Sequence, residues 1–261
     1  MHLTSNLRDK ELFVFDLDGT IAPSKSTMDR EMSELLARLL LIKKVAIISG
    51  GKFDQFKRQF LANLRVPRAL LGNLFLFPTT STSFYHYRHG WRQVYAHKLS
   101  KGERKKIVAA MHRVFHELHY RNPKRLYGPV IEDRGTQITF SAVGQNAPVK
   151  VKEAWNRRYD IRPRLIRALR KYLPQFEVRR GGLTSIDVTR KGIDKAYGIR
   201  KIVAELEIPL RRTLFVGDAL YPGGNDYPAR RTGVLCVPVS GPTEAKGLIR
   251  FITYQSIKGR V

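Results

Sequence analysis

The chain alternates short, continuously apolar segments with longer segments whose apolar residues recur at helical spacing. Three apolar runs and two amphipathic segments follow one another, in the order 11–15, 27–41, 43–48, 53–64 and 69–77. A short apolar run indicates a buried strand, and apolar residues three to four positions apart indicate a helix with one buried face. Alternation of such strands and helices predicts an α/β fold built on a parallel sheet.

The pattern changes after residue 81. The apolar and polar positions from there on predict two strands in 82–97, a helix in 101–119, strands in 127–132 and 137–143, a helix in 162–172, and strands in 176–180 and 184–188. Strand pairs that alternate with helices indicate an antiparallel sheet with helices on one face. The earlier pattern resumes after residue 190. We therefore predict a core formed by residues 1–81 and 191–261, with residues 82–190 inserted as a second α/β domain.

Composition narrows the class of protein. The 261 residues are 43% hydrophobic, and no stretch approaches the roughly 20 apolar residues that a membrane-spanning helix needs. The first residues lack the basic-then-apolar order of a signal peptide. Cys236 is the only cysteine, which excludes an intramolecular disulfide. We expect a soluble, cytoplasmic protein without a membrane partner.

The chain is strongly basic. It carries 48 Lys and Arg against 22 Asp and Glu, a formal charge of +26, and residues 82–190 hold 24 of the basic residues against 8 acidic ones. Such a charge attracts anions, including phosphate esters and nucleic acid. A solvated basic surface explains the same composition, and neither zinc-finger spacing nor an RNA-binding aromatic signature accompanies it. Nucleic-acid binding therefore remains a secondary hypothesis.

Carboxylates follow two of the apolar runs. Asp16 and Asp18 come directly after the run at 11–15, and Asp218 follows the run at 214–216. The carboxyl ends of parallel strands meet at one edge of a sheet, where ligands of open α/β folds bind. Carboxylates at that edge can share a metal ion, attack phosphorus or transfer a proton. The first pair of acids taken alone fits an ordinary Asp-Gly turn equally well.

Four more residues extend this pattern. Asn225 and Asp226 stand in a glycine-rich segment and offer the oxygen ligands that Mg²⁺ prefers. Ser49 ends a predicted strand with a hydroxyl that suits phosphate oxygens, and Lys195 begins a predicted helix and could balance phosphate and carboxylate charge. Each of them alone is more simply a loop or surface residue.

The order of these residues resembles a known superfamily. The segment Asp16–Thr20, then Ser49, Lys195 and residues 217–226 occur in the order of the four haloacid dehalogenase motifs. The insertion resembles the large α/β cap (type IIB) of that superfamily. Within it, residues 181–188 and 217–226 resemble signatures of the eukaryotic-type phosphomannomutases and related sugar-phosphate phosphatases.

The resemblance implies a Rossmann-like parallel-sheet core with an inserted α/β cap, and it assigns roles. Asp16 would be the nucleophile that forms an aspartyl-phosphate, and Asp18 the general acid and base. Ser49 and Lys195 would bind the transferring phosphoryl group. The implied Mg²⁺ ligands are Asp16, the main chain of Asp18, Asp218, Asn225 and Asp226.

The resemblance also suggests a substrate site in the cap. Arg134, Ser185 and Asp187 match positions that hold the sugar phosphate, whereas Lys25, Lys152 and Gln145 stand where the phosphomannomutases have arginines. Arginine binds phosphate through two parallel hydrogen bonds, lysine provides a point charge, and glutamine carries no charge. A weaker phosphate clamp favours hydrolysis over a mutase reaction, which has to retain a bisphosphate intermediate.

The resulting expectation is a Mg²⁺-dependent phosphohydrolase that acts on small sugar or polyol phosphates through an aspartyl-phosphate. Phosphomannomutase activity is the alternative, and a catalytically idle, basic nucleic-acid-binding protein is a third hypothesis. The resemblance also allows a homodimer formed through the cap.

Overall fold

The computed structural model describes residues 7–24 and 26–258. The chain divides into two compact units. Unit 1 comprises Met1–Tyr95 and Asp194–Val261, and unit 2 comprises Ala96–Ile193.

In chain order the strands are β1 (Leu12–Asp16), β2 (Lys44–Ile48), β3 (Leu74–Phe77), β4 (Ser83–Tyr87), β5 (Trp91–Ala96), β6 (Ile131–Asp133), β7 (Ile138–Ser141), β8 (Phe176–Arg180), β9 (Ser185–Arg190), β10 (Thr213–Gly217) and β11 (Leu235–Pro238). The helices are α1 (Arg30–Leu40), α2 (Phe53–Gln59), α3 (Lys101–Glu117), α4 (Val149–Tyr159), α5 (Arg162–Tyr172), α6 (Lys195–Leu206) and α7 (Pro242–Lys258). Within the described residues, no helix combines the length and apolarity needed to cross a membrane.

Unit 1 is built on a seven-stranded sheet with the order β11-β10-β1-β2-β3-β4-β5. The strands from β11 to β3 pair in parallel, which confirms the predicted parallel sheet for these five strands. β4 instead pairs antiparallel with β3, with Leu76 opposite Tyr85. The sheet is therefore mixed, and its antiparallel edge was not predicted.

The hairpin of β4 and β5 belongs to unit 1, which differs from the predicted boundary between core and insertion. Residues 82–97 were assigned to the insertion, but their strands extend the sheet of unit 1. The physical reason is aromatic packing on β3: the Phe77 and Phe84 rings stack with centroids 4.5 Å apart, and Phe75 stacks on His86 at 4.6 Å. The first boundary lies after Tyr95 rather than after residue 81, and the second lies before Asp194 rather than after residue 190.

Both faces of the unit 1 sheet are buried. Alternate residues of β1 point to opposite sides, so that Phe13 and Phe15 pack in one apolar cluster with residues of α1 and α7, whereas Leu12 and Val14 pack in another with residues of α6. Burial on both faces explains why the strands are continuously apolar rather than alternating. Each large side chain withdrawn from water contributes about 1.5–3 kcal/mol of transfer free energy.

Several predicted ends of elements were wrong by a few residues. α1 begins at Arg30 and not at residue 27, because the Asp29 carboxylate caps the helix by accepting from the Met32 amide at 2.9 Å. β3 begins at Leu74 and not at residue 69, because residues 68–73 form a 3-10 helix. The pattern also did not predict α4.

Unit 2 carries a four-stranded antiparallel sheet with the order β6-β7-β9-β8, as predicted for the insertion. One face is apolar, and its residues cluster with the buried faces of α3 and α5; the cluster includes Ile107, Met111, Phe140, Leu165, Leu169, Ile186 and Val188. The other face of the central strands is polar, with Thr139 and Ser141 on β7 beside Ser185 and Asp187 on β9.

Glu103 ties the start of α3 to the end of β9. Its backbone amide donates to the Ser100 hydroxyl at 3.1 Å, and its carboxylate accepts from the Ser100 amide at 2.6 Å, which forms a capping box. The same carboxylate accepts two bonds from the Arg190 guanidinium, at 2.9 and 2.8 Å. The bond from Arg190, followed by that from Ser100, lowers the pKa of Glu103 to about 2.

We expect Glu103→Gln to destabilise the protein in a pH-dependent manner. The folded state lowers this pKa from 4.5 to about 2, so the charge of Glu103 stabilises the fold above about pH 4.5, and this contribution is lost as the pH falls toward 2. The variant should lose about 1 kcal/mol at neutral pH, because the pair is partly exposed, and the loss should shrink as the pH falls.

Urea unfolding of both proteins at several pH values, down to the lowest at which they remain folded, measures this difference. Glu153→Gln is the matched control, since Glu153 is exposed and forms no ion pair within the described residues. A loss for Glu103→Gln that does not change with pH would contradict the assigned role of the charge.

Candidate active site

Three candidate residues meet because neighbouring parallel strands end side by side. Asp16 is the last residue of β1, Asp218 directly follows β10, and Ser49 directly follows β2. β1 lies between β10 and β2 in the sheet, with Asp16 opposite Ile48. The sheet thus presents a nucleophile candidate, a second acid and a hydroxyl along one edge.

Lys195 binds two of the buried acids. Its ammonium donates to Oδ1 of Asp16 and to Oδ1 of Asp226, and all three side chains are at most 1% exposed. The lysine is the first residue of α6, whose start is fixed by the Asp194 carboxylate accepting from the Tyr197 amide at 2.9 Å. The capped helix therefore holds the cation at a defined place.

Positive charge is scarce in this cluster. Burial lowers the pKa of the Lys195 ammonium, but the Asp16 and Asp226 carboxylates outweigh burial and raise that pKa above its ordinary value. Burial raises the pKa of the Asp16 carboxyl well above its ordinary value, against the opposing effect of Lys195. The neighbouring Asp226 and Asp218 carboxylates raise it further. One ammonium thus does not fully offset the surrounding acids.

The acids are arranged to hold a cation. Asp16, Asp218 and Asp226 each offer one oxygen, and these oxygens lie within 4.8 Å of one another. Oδ2 of Asp16 is buried and has no hydrogen-bond partner among the described residues. Asp218 is exposed as a residue, but partial burial of its carboxyl group, followed by the charge of Asp226, raises its pKa to about 6. Three carboxylates with oxygens this close together fit the preference of Mg²⁺ for hard oxygen ligands.

The other two predicted metal ligands lie differently. For Asp18 the predicted ligand is its main chain; its carboxylate lies outside the three-acid group, where Oδ2 accepts from the Ser49 hydroxyl at 3.0 Å and Oδ1 from the Gln59 amide at 3.4 Å. Asn225 is half-buried beside Asp226 in the same loop. The side chain of Asp18 is thus held apart from the acids that Lys195 binds.

Glycine is required beside this cluster. Gly19 has φ +91°, a left-handed conformation, and a Cβ there would lie 2.6 Å from Oδ2 of Asp218. The next residue, Thr20, is buried, and its hydroxyl donates to Oδ1 of Asp218 at 3.5 Å. The turn after β1 is therefore packed directly against the second acidic loop.

Two contributors escaped the sequence-based prediction. Thr20 belongs to the motif that contains Asp16, so the sequence marked its position. Its contact with Asp218 was not predicted. Gln59 carried no signal, because it ends an ordinary amphipathic helix and reaches Asp18 only through the fold. Its amide also donates to the Ser26 carbonyl at 3.2 Å, which fixes its orientation.

The candidate sugar-phosphate residues of unit 2 fall into two places. The Arg134 guanidinium, 5% exposed on its side chain, donates to Glu132 at 2.8 Å and to Oε1 of Gln145 at 3.0 Å. On the polar sheet face, Asp187 accepts from the Thr139 hydroxyl at 2.7 Å.

The three other candidates are placed as follows. Ser185 lies two residues before Asp187 on β9 and pairs with Ser141 of β7. Lys152 is 3% exposed on α4. Lys25 lies outside the described residues.

The chain is similar to known phosphomannomutases over most of its length. The model of the family "Eukaryotic phosphomannomutase" matches residues 32–249. Phosphomannomutase from Saccharomyces cerevisiae is 26% identical over 228 residues, which cover 84% of this chain and 85% of that protein. Phosphomannomutase 2 from Dictyostelium discoideum is 27% identical, with 82% and 84% of the two chains covered.

Solved structures with the same fold include two phosphatases. IMP-bound IMP-nucleotidase from Plasmodium falciparum superposes with a TM-score of 0.73 at 16% identity, covering 95% of this chain and 71% of that one. Trehalose-6-phosphate phosphatase from Aspergillus fumigatus gives a TM-score of 0.58 at 17% identity, with 97% of each chain covered. These likenesses confirm the predicted α/β fold class.

We expect Mg²⁺ to raise the unfolding temperature more than Na⁺ at equal ionic strength. A divalent cation among Asp16, Asp218 and Asp226 relieves the repulsion between their carboxylates. A ligand that binds only the folded state stabilises it by about 2.7 kcal/mol at 100 times its Kd. Thermal unfolding followed by circular dichroism, with and without a chelator, measures the shift.

Asp218→Asn should reduce this shift, since the variant removes one of the three carboxylates. Asp54→Asn is the control, because Asp54 is exposed on α2, where its carboxylate pairs with Lys57. A full Mg²⁺ shift in the Asp218 variant would exclude the three-acid group as the binding site.

Proposed function

Because the chain belongs to the eukaryotic phosphomannomutase family, a family of enzymes of the haloacid dehalogenase type, we propose that it transfers the phosphoryl group of a small sugar phosphate to Asp16. We further propose that water is the main final acceptor, so that the protein is a sugar-phosphate phosphohydrolase. The observation that carries the proposal is the buried pair of Asp16 and Lys195 at the end of the central strand, beside two more acids.

Asp16 has the surroundings of an oriented nucleophile. Lys195 holds one carboxylate oxygen, whereas the other has no hydrogen-bond partner among the described residues. An oxygen of Asp16 would attack phosphorus while the bond between phosphorus and the sugar oxygen breaks, which gives an aspartyl-phosphate. Lys195 would then neutralise part of the charge on the transferring group, since it is fully buried and charged.

Asp18 is suited to move the proton. Its carboxylate is held at both oxygens by donors, the Ser49 hydroxyl and the Gln59 amide, and stays outside the acids bound to Lys195. In the first step Asp18, which would enter the reaction in its protonated form, would give its proton to the leaving sugar oxygen and become a carboxylate. In the second step it would take a proton from the water that attacks the aspartyl-phosphate, which returns Asp16 and releases inorganic phosphate.

Mg²⁺, when bound by Asp16, Asp218 and Asp226, would offset the repulsion between these carboxylates and the dianionic phosphate. Ser49 stands where its hydroxyl would bind a phosphoryl oxygen once it releases Asp18. Asp226 has a second task, because its Oδ2 accepts from the Ala219 amide at 2.9 Å and so fixes the loop that carries Asp218.

A hexose phosphate is the substrate class that we favour. The family match and the relatives named phosphomannomutase support it. Unit 2 offers groups of the right chemistry: the Arg134 guanidinium for a phosphate, and Ser185 with Asp187 for sugar hydroxyls.

Asp16→Asn should abolish turnover of both an aryl phosphate and a hexose phosphate, because an amide cannot form the acyl-phosphate. Asp18→Asn is the matched variant, with the same chemical change at the other carboxylate. This variant should slow turnover of the hexose phosphate by roughly 10²–10⁴-fold. It should slow turnover of the aryl phosphate much less, since a phenolate leaves without a proton. Phosphate release measured on both substrates tests the pair of roles.

Circular dichroism and thermal unfolding verify that both variants remain folded. Retention of more than about 1% of the rate by Asp16→Asn would remove it as nucleophile. Equal losses on the two substrates for Asp18→Asn would remove it as the acid.

A mutase reaction is the second candidate, favoured by the match to the phosphomannomutase family over residues 32–249. That reaction must hold the distal phosphate of a bisphosphate while the sugar turns over. Here Gln145 contributes only an amide, whose oxygen accepts from Arg134. Loss of one charge-assisted contact to phosphate costs about 1.5–3 kcal/mol, so the intermediate should escape sooner and the aspartyl-phosphate should react with water.

We expect net phosphate release from mannose 1-phosphate to outrun its conversion to the 6-phosphate. Phosphorus NMR in the presence of a hexose bisphosphate activator follows both products in one time course. Gln145→Arg should raise the ratio of transfer to hydrolysis. Gln145→Met removes the same acceptor for Arg134 without adding charge, and it should leave the ratio unchanged or lower it.

Clean conversion to the 6-phosphate by the unmodified protein would identify it as a mutase. An equal change of the ratio in both Gln145 variants would show that charge at this position does not set the outcome.

A further inference from the structure

Unit 2 contains a cavity of about 660 Å³ that shares no lining residue with the groups discussed above. One wall is a face of α4, because Val151, Ala154, Trp155, Arg158 and Tyr159 recur at the three- and four-residue spacing of one helix side. The opposite wall comes from the segment 119–127 that follows α3. The volume lies in the range of sites for small organic molecules.

The walls are aromatic. Trp155 is 6% exposed, and Tyr159, four residues or about one turn further along the helix, is 65% exposed. Tyr120 and Tyr127 line the opposite side. The Tyr120 hydroxyl is buried without a hydrogen-bond partner among the described residues, so this wall carries an unused polar group.

The charged side chains that line the cavity are all basic. Arg121, Arg125 and Arg158 line it together with His119, and no acidic residue does so. None of the three arginines forms an ion pair in the part of the chain that is described. Several other arginines of unit 2 pair with carboxylates, as Arg134 does with Glu132. A cavity that keeps three arginines without counter-ions is complementary to an anion.

Rings and guanidinium groups are also arranged for a planar ligand. The Arg125 guanidinium lies 4.9 Å from the centroid of the Tyr127 ring, which shows that this wall already accommodates stacking of a flat cation on an aromatic face. Stacking on an aromatic side chain suits a nucleobase, and an arginine fork suits a phosphate. A hexose phosphate would use the charge but not the rings.

We propose that this cavity binds a free nucleotide, with the base against the α4 wall at Trp155 and Tyr159 and the phosphate at the arginines. The site is separate in its residues from the proposed catalytic groups and does not depend on the proposed function. The same chemistry occurs at a nucleotide of single-stranded RNA, and the experiment distinguishes that source.

Trp155 provides a direct readout. The chain has two tryptophans, and Trp91 lies in unit 1 beside Phe53 and Tyr87. A full-length protein with Trp91→Phe therefore reports from the cavity alone, and an added Asp16→Asn prevents turnover of the probe. AMP should quench the fluorescence of Trp155 saturably. Adenosine and ribose 5-phosphate, which each offer half of the interactions, should bind at least about tenfold more weakly.

Surface variants locate the binding. Arg158→Gln should weaken AMP binding about tenfold, and Tyr159→Ala roughly fivefold or more, whereas Tyr159→Phe should preserve it. Arg167→Gln makes the same charge change on exposed α5 outside the cavity, and it should change binding by less than about twofold. All three positions are exposed, so the four variants should fold.

Four results would overturn the proposal. Ribose 5-phosphate or inorganic phosphate binding as tightly as AMP would reduce the cavity to an anion site. Equal effects of Arg167→Gln and Arg158→Gln would reveal binding to general surface charge. Displacement of AMP by mannose 1-phosphate would place AMP at the catalytic acids. Binding of a short single-stranded RNA, but not of AMP, would assign the cavity to a polymer.

Discussion

The ammonium of Lys195, buried between Asp16 and Asp226, is the interaction on which the rest of the site depends. Without it, two carboxylates would be left in the protein interior with no compensating charge, a cost of several kcal/mol. With it, the carboxylates are held in place but not fully neutralised. A site that is stable yet short of positive charge is suited to hold a divalent cation, which is the basis of the Mg²⁺ proposal.

The sheet provides the positions that this pair needs. Because β1 lies between β2 and β10, the loops after the three strands open side by side, and each carries one polar side chain to the same edge. Gly19 lets the first loop approach Asp218 closely, and the Asp194 cap fixes Lys195 at the start of α6. The site is thus built from strand ends, one close turn and one helix start, none of which is itself unusual.

The sequence allowed prediction of the features that local patterns determine. β1, β2 and β10 are short apolar runs with an acid or a serine directly after them, so both the strands and the residues at their ends were predictable. The position of β4 and β5 in the sheet was not predictable, since it depends on ring packing between Phe77 and Phe84, which lie in different segments. α4 was missed because it begins Val-Lys-Val-Lys, an alternation that does not show helical spacing. Gln59 acquires its contact with Asp18 only when residues 41 apart meet.

The division of the chain has a consequence for the order of folding. Unit 2 is one continuous segment, whereas unit 1 is completed only by residues that follow it. During synthesis, unit 2 can therefore fold before β10, Asp218 and Asp226 have left the ribosome. The partner of Asp16, Lys195, lies 179 residues further along the chain, and contacts of such long range form slowly. Until β10 pairs with β1, the half-finished sheet exposes the edge of β1, and in this interval the nascent chain depends most on protection from aggregation.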